Sequence, residues 1–254
     1  MSLWVSERPG RGPLIVMVHG SMDRSASFIR TERKLAGRNV LRYDRRGYGR
    51  STDLPVATAF DDHVDDLLAV IDGRPAVVIG HSLGGVVALT AAQREPALVR
   101  AVGAFEAPMP WADWWPPGTA GGAALAGAAD PADAAETFMR RLIGDERWEE
   151  LPGRTRKERR AEGVALVAEM RFLHDPPPPY DPSRITVPVV AARGGTSIAH
   201  HVRTAEELAR AVPGAELVVI DGAGHGAHAS HPTEFAAYVE RVVASVDRDG
   251  PPPV

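Results

Sequence analysis

Cysteine is absent from this 254-residue chain. Without thiols the protein has no disulfide, no thiolate metal ligand and no cysteine nucleophile. An excess of positive charge is absent as well, because 29 Lys and Arg residues stand against 33 Asp and Glu residues, for a formal net charge of −4. We therefore expect no nucleic-acid partner, since such partners are bound through basic surfaces.

Long apolar runs are also missing. No stretch approaches the roughly 18 consecutive apolar residues that a membrane-spanning helix needs, and the first ten residues contain no basic segment followed by an apolar one. We therefore expect no membrane association and a cytoplasmic location. A monomer or a homodimer is expected, and the partner is a small-molecule substrate.

Short apolar runs rich in β-branched residues recur along the chain. The clearest is Leu14–Val18, which ends at His19-Gly20. Such runs are typical of strands buried on both faces of a parallel sheet, and Met1–Glu7 is a candidate for one more strand. The other runs are Asn39–Tyr43, Ala76–Ile79, Ala101–Phe105, Val187–Ala191 and Glu216–Ile220.

Helical patterns separate these runs. One begins near Thr58, which is a candidate N-cap, and another begins at Pro232, a residue suited to the first position of a helix. Val86–Ala92 and Arg203–Val212 give two more. Strands that alternate with helices predict an α/β fold with a doubly wound, mostly parallel sheet.

Residues 109–182 interrupt the alternation. Asp130-Pro131 is typical of a helix start, and Thr155-x-x-Glu158 matches a capping box that would begin another helix. A segment of this length without structure would be unusual in a compact domain. We therefore predict an α/β core formed by residues 1–108 and 183–254, with residues 109–182 inserted as a helical lid.

The sequence Gly80-His81-Ser82-Leu83-Gly84 matches the pattern G-x-S-x-G between a predicted strand and a predicted helix. A strand that turns abruptly into a helix holds the middle side chain at the edge of the sheet, and the first amides of the helix point at the reacting centre. Ser82 is therefore the candidate nucleophile. The weaker alternative is a glycine-rich turn with an incidental serine.

A serine hydroxyl needs an adjacent base. His225 ends the sequence Asp221-Gly222-Ala223-Gly224-His225, which follows the last predicted strand, so it reaches the same sheet edge as Ser82. His228 and His231 lie just beyond it, but no cysteine or carboxylate framework supports a metal site there. We expect neither a metal ion nor an organic cofactor.

The chain resembles the α/β-hydrolase superfamily over nearly its full length. Four segments carry the resemblance: His19-Gly20, Asp44–Ser51, Gly80–Gly85 and Gly222–His225. The resemblance implies a serine hydrolase without a cofactor. It also implies a sheet that usually has eight strands, and a largely structural role for Asp44–Ser51.

The usual acid of that superfamily is an aspartate after the penultimate strand, and here Ser197 stands at its expected place. Some branches place the acid one strand earlier, where this chain has Glu106. We therefore predict a Ser82–His225–Glu106 triad. Asp221, close to His225 in sequence, is the rival acid.

An oxyanion hole requires two backbone N–H donors. Leu83 follows the nucleophile and supplies one, and the resemblance implies Ser21 for the other, with Met22 as the alternative. Aromatic side chains of the insertion either line an apolar substrate pocket or pack the insertion onto the core. The candidate substrate-binding residues are Met22, His81, Trp111, Trp114, Trp115 and Phe138.

These residues predict cleavage of a carboxylic ester, thioester or lactone of a small apolar substrate through an acyl-enzyme. A serine at position 82 argues against haloalkane dehalogenases and epoxide hydrolases, which need a carboxylate nucleophile. Four alternatives stay open: a cofactor-free perhydrolase, a carbon–carbon hydrolase, a biosynthetic cyclase, and a ligand-binding member without catalysis, because a fold does not fix a function.

Overall fold

The computed structural model describes residues 2–127, 130–175 and 177–246. Within them lies a seven-stranded sheet with the order β1-β3-β2-β4-β5-β6-β7. β1 is antiparallel to β3, and the other neighbouring strands pair in parallel. The strands are β1 (Val5–Arg8), β2 (Arg11–Val18), β3 (Arg38–Tyr43), β4 (Ala76–His81), β5 (Val99–Phe105), β6 (Val189–Gly194) and β7 (Glu216–Ile220).

Helices cover both faces of the sheet, and this confirms the doubly wound, mostly parallel α/β fold. The central strand β4 is buried at every residue. Because side chains alternate across a strand, Val78 belongs to the apolar layer on one face, whereas Val77 and Ile79 belong to the other layer. The helices are α1 (Ile29–Lys34), α2 (Asp61–Ile71), α3 (Leu83–Arg94), α4 (Ala120–Gly127), α5 (Pro131–Ile143), α6 (Asp145–Glu150), α7 (Gly153–Ala161), α8 (Gly163–His174), α9 (Ala199–Ala211), α10 (Ala227–Ser230) and α11 (Pro232–Val246).

Some local predictions were right and others were wrong. Pro232 begins α11, and Asp130 Oδ1 accepts a hydrogen bond from the N–H of Asp133 at 2.9 Å. Thr58 does not cap α2, because this helix begins at Asp61, and the N–H of Thr58 instead donates to the Asp62 carboxylate. The capping box at Thr155 is also wrong, since this residue lies inside α7.

The strand predicted within residues 1–7 corresponds to β1, which begins at Val5 and ends at Arg8. Met1 lies outside the described residues. The described part of the sheet has seven strands, one fewer than the resemblance implies. Helices α4 to α8 all fall between β5 and β6 in the chain. The division into a core of residues 1–108 and 183–254 and a lid of residues 109–182 stays a prediction.

Among the described helices, none combines the length and the apolar character needed to cross a membrane.

A buried ionic network joins α8 to the loops that follow β2 and β3. Glu169 of α8 accepts hydrogen bonds from Arg45 Nη1 at 2.6 Å, Tyr48 Oη at 2.7 Å and Ser21 Oγ at 2.7 Å. Both members of the Arg45–Glu169 pair are 1% exposed. Burial alone would raise the pKa of Glu169, but the Arg45 guanidinium holds it below its ordinary value, so the carboxyl group stays ionised.

We expect Glu169→Ala to lower the free energy of unfolding by about 3–5 kcal/mol, because it leaves the Arg45 guanidinium buried without its counter-charge. Urea denaturation followed by circular dichroism measures the loss. The matched control is Glu158→Ala, which breaks ion pairs of a carboxylate that is 39% exposed and should cost much less, because exposed ion pairs contribute little to stability. Equal losses in the two variants would contradict the stabilising role of Glu169.

Candidate active site

Ser82 stands at the sharp turn between β4 and α3. Its backbone is in a strained, left-handed conformation, with φ 52° and ψ −127°. The flanking glycines make the turn feasible: a Cβ on Gly80 would lie 2.3 Å from the carbonyl oxygen of Gly84, and one on Gly84 would lie 2.1 Å from that of Val18. The turn therefore tolerates no side chain at either glycine, and it presents the Ser82 hydroxyl beyond the end of the strand.

Glu106 follows directly on β5 and is fully buried. Its Oε2 atom accepts a hydrogen bond from His225 Nδ1 at 2.6 Å. Its Oε1 atom accepts one from the Gly194 N–H at 2.8 Å and another from the Ser197 hydroxyl. Burial would raise the pKa of Glu106, but the nearby imidazoles of His201 and His225 hold it well below its ordinary value. The carboxyl group is therefore an anion at neutral pH.

The contact with Glu106 sets the tautomer of His225. A carboxylate can only accept, so Nδ1 of His225 carries a proton, and in the neutral ring Nε2 is then the basic atom. Ser82 and His225 line the same cavity. Within the described residues Ser82 Oγ makes no hydrogen bond to His225, and such pairs often tighten only when substrate is bound.

The rival acid and the residue that replaces the usual aspartate lie in different surroundings. Asp221 is exposed, and no hydrogen bond joins it to His225 in the described part of the chain. Ser197, at the place where the aspartate was expected, donates its hydroxyl proton to the Glu106 carboxylate. The loop after β6 thus contributes to the site as a donor to the acid of the preceding strand.

Sequence reasoning missed His201, the second histidine beside Glu106. Its Nδ1 atom lies 3.1 Å from Glu106 Oε2, and its ring stacks on that of His225 with centroids 4.1 Å apart. Burial and the neighbouring His201 together lower the pKa of His225, against the opposing effect of Glu106. The only available sequence signal was the position of His200-His201 in the first turn of the helix that follows β6.

His81 supports His225 from below rather than facing the cavity. Its Nε2 atom lies 2.8 Å from the backbone oxygen of His225, so this nitrogen donates a proton to a carbonyl that can only accept. The ring is buried, and burial lowers the pKa of His81 well below its ordinary value. His81 directly precedes the candidate nucleophile, and through this hydrogen bond it holds the loop that carries the candidate base.

Two groups of side chains in the described residues hold their ligand atoms within 4.8 Å, as a metal site would require: Asp23 with His81 and His228, and Glu106 with His201 and His225. In the first group, Asp23 lies 3.4 Å from His228 Nε2, and one His81 nitrogen is used by His225. In the second group, a metal would have to bind the same atoms that form the hydrogen bond between Glu106 and His225. Ion pairs and hydrogen bonds within the two groups explain most of these short distances.

A cavity of about 430 Å³ lies above Ser82. Of the predicted site residues, it is lined by Ser21, Ser82, Leu83, Trp115, Phe138 and His225. Met22, His81, Trp111 and Trp114 are not among its lining residues. Trp111 packs edge-on against Tyr180 with ring centroids 5.7 Å apart, and Trp114 lies under the Arg203 guanidinium at 4.5 Å. Trp111 and Trp114 thus make packing contacts away from the cavity, which is the second of the two alternatives given for the aromatic side chains.

The two candidate oxyanion donors border the cavity. Leu83 is the first residue of α3, and the first amides of a helix have no partner within it. The Ser21 hydroxyl is already used in its hydrogen bond to Glu169, so only the backbone N–H of this residue is available. Its neighbour Met22 has a φ of 54°, which marks the same loop as strained.

The chain matches the model of the alpha/beta hydrolase family over residues 15–238. It is 30% identical to rhodomycin D methylesterase of Streptomyces peucetius, covering 85% of this chain and 86% of the relative. It is also 30% identical to pimeloyl-[acyl-carrier protein] methyl ester esterase of Chromobacterium violaceum, covering 92% and 95%.

Solved structures with the same fold include the enol-lactonase of Burkholderia xenovorans, with a TM-score of 0.73 and 22% identity over 95% of this chain and 96% of that one. The esterase EaEST of Exiguobacterium antarcticum has a TM-score of 0.75 and 21% identity over 95% of each chain. At these identities the likeness supports the fold alone.

A pH prediction follows from the neighbours of His225. The imidazole must be neutral to act as a base, and its pKa is lowered, so we expect the acid limb of kcat/KM for ester hydrolysis to fall below pH ~6.5. His201→Asn removes the neighbour that lowers the pKa of His225 and should therefore move this limb to higher pH. Among the groups around the ring, Glu106, His81 and His228 are unchanged by this substitution.

The matched control is His174→Asn. His174 also lines the cavity, but it hydrogen-bonds to the Met170 carbonyl and contacts neither Glu106 nor His225. Its acid limb should coincide with that of the unmodified protein. If both variants shift the limb equally, or if neither does, the electrostatic role of His201 is refuted.

Proposed function

The chain belongs to the alpha/beta hydrolase family, and from that premise we propose that it is a serine hydrolase that cleaves a carboxylic ester, thioester or lactone through an acyl-enzyme. The observation that carries the proposal is the 2.6 Å contact between Glu106 Oε2 and His225 Nδ1 on a cavity that Ser82 lines. It leaves Nε2 of His225 as the basic atom toward the cavity. The family and its named relatives support hydrolysis of esters in general.

In the first half of the proposed reaction, Ser82 Oγ attacks the substrate carbonyl while His225 Nε2 takes its proton. The carbonyl oxygen becomes an anion that the N–H groups of Leu83 and Ser21 stabilise. The tetrahedral intermediate then collapses, and His225 returns the proton to the leaving alcohol, thiol or hydroxyl. Glu106 holds the ring and balances the charge of the imidazolium.

In the second half, water attacks the acyl group on Ser82, and His225 takes the water proton. Collapse of this second intermediate releases the acid and returns the proton to Ser82. The relatives support this outcome, because two of them are named as esterases that act on methyl esters. For a lactone, the leaving hydroxyl stays attached to the product.

The cavity favours a small substrate with an apolar part. We propose that residues 109–182 serve as its lid, because α5 supplies Phe138 and α8 supplies Met170 to the wall. Trp115 lies on the same wall. Substrates with long or branched acyl groups would have to displace these side chains, so the inserted helices set the size that the site accepts.

The test is hydrolysis of p-nitrophenyl esters of rising acyl length by the wild type and three variants. We expect Ser82→Ala to lose at least about 10³-fold in kcat/KM and Glu106→Gln to lose on the order of 10³–10⁴-fold, because the amide supports the wrong tautomer of His225. Asp221→Asn is the matched control and should keep near-full turnover.

The outcomes separate the candidate acids. Loss of turnover in Asp221→Asn, together with near-full turnover in Glu106→Gln, would indicate that Asp221 is the acid. Full activity of Ser82→Ala would overturn the proposed function. Circular dichroism of each variant shows whether a loss of turnover reflects a loss of fold.

A further inference from the structure

The described side chains that line the cavity above Ser82 include an arginine and no carboxylate. Acidic residues outnumber Lys and Arg in the chain by 33 to 29, yet none of the described residues that line the cavity is Asp or Glu. One arginine, Arg141 of α5, lines it. The buried charge of Glu106 is already shared with His225 and the loop after β6. An anionic group that enters this space therefore meets a permanent cation and no exposed carboxylate.

Arg141 is also free to bind such a group. Its neighbour Arg140 is held by Glu136 at 2.9 Å, by Asp145 at 3.1 Å and by Glu149. Arg160, on the facing helix α7, is held by Asp133 and Glu136. In the described part of the chain, Arg141 has no such carboxylate partner, and its side chain is exposed.

His200, which also lines the cavity, does not replace this cation. Burial and the neighbouring His201 lower the pKa of His200 to about 4, so its ring is neutral at pH 7. The guanidinium of an arginine keeps its charge at every working pH, and its planar fork matches the two oxygens of a carboxylate. Arg141 is therefore the group of the cavity best suited to recognise a carboxylate.

Apolar side chains line the same cavity as Arg141. Phe138 and Leu142 belong to the same helix as Arg141, and Met170 and Leu173 of α8 line the cavity as well. Arg141 is exposed, whereas Ser82 is half-buried, and both residues border the cavity. This arrangement suits a ligand with a reactive carbonyl at one end, a short apolar middle and an anion at the other end.

We propose that the substrate is an ester, thioester or lactone that carries a carboxylate away from the scissile bond, and that Arg141 binds this carboxylate. The proposal rests on the proposed function. The carboxylate does not change during the reaction, so its contact stabilises the ground state and the transition state alike. Loss of the contact should therefore raise KM and leave kcat nearly unchanged.

The experiment compares two esters of matched shape: mono-p-nitrophenyl glutarate, which is anionic, and p-nitrophenyl 5-methylhexanoate, in which an isopropyl group replaces the carboxylate. We expect the wild type to prefer the anionic ester. Arg141→Leu should raise KM for the anionic ester about tenfold or more without affecting the neutral ester, and Arg141→Lys should restore part of the difference. Added salt should reduce the preference, because the guanidinium is exposed.

Arg171→Leu is the matched control. Arg171 is an exposed arginine of α8 that does not line the cavity, and its loss should leave both esters unaffected. A wild type without preference for the anionic ester overturns the proposal. Equal effects of Arg141→Leu and Arg171→Leu overturn it as well, because the effect would then reflect net charge rather than a binding contact.

Calorimetry on the Ser82→Ala background separates this proposal from the proposed function. The probe is glutaranilic acid, an amide that the site should bind without turnover, and hexananilide is its neutral partner. Binding of the acid that is lost on a further Arg141→Leu change supports carboxylate recognition even if no ester is hydrolysed. Equal affinity with and without Arg141 overturns the proposal, even if hydrolysis of both esters upholds the proposed function.

Discussion

The Glu106 carboxylate is the group on which the loops of the site converge. It binds His225 from the loop after β7, and Gly194 and Ser197 from the end of β6 and the loop after it. A buried anion without such donors would be very costly, so the conformations of these loops are coupled to the charge. The same coupling aligns His225: the ring cannot turn without breaking its hydrogen bond to the carboxylate.

Backbone strain is concentrated at the candidate site and next to it. Four non-glycine residues of the described chain have a positive φ; two are Ser82 and Glu106, and a third, Met22, adjoins the candidate oxyanion donor Ser21. Strained conformations persist only where the surrounding structure over-determines them. Here buried parallel strands provide that support: Ser82 follows directly on β4, Glu106 follows directly on β5, and Met22 lies in the loop after β2.

The sheet could be predicted from its apolar β-branched runs, and the candidate nucleophile and base could be named from the glycines at a tight turn and from a histidine after the last strand. The absence of the usual aspartate was visible at Ser197, and the role of Glu106 as the acid stays a prediction. The contact of His201 with Glu106 was not visible, since it depends on how the start of α9 meets the end of β5. The N-cap assignments at Thr58 and Thr155 were wrong because a nearby carboxylate or an earlier helix start decided the local geometry. Aromatic content did not separate Trp115, which lines the cavity, from Trp111 and Trp114, which pack elsewhere.

The Glu169 network limits how the region between β5 and β6 can be exchanged in evolution or design. Helices α4 to α7 could be replaced by other helices that reshape the cavity, because their ion pairs lie mostly at the surface. Helix α8 is different: its Glu169 neutralises Arg45 and holds the Ser21 hydroxyl. A transplanted insertion would therefore need a carboxylate at the same place, or a core in which Arg45 is apolar. In this protein the modular part of the insertion ends where α8 begins.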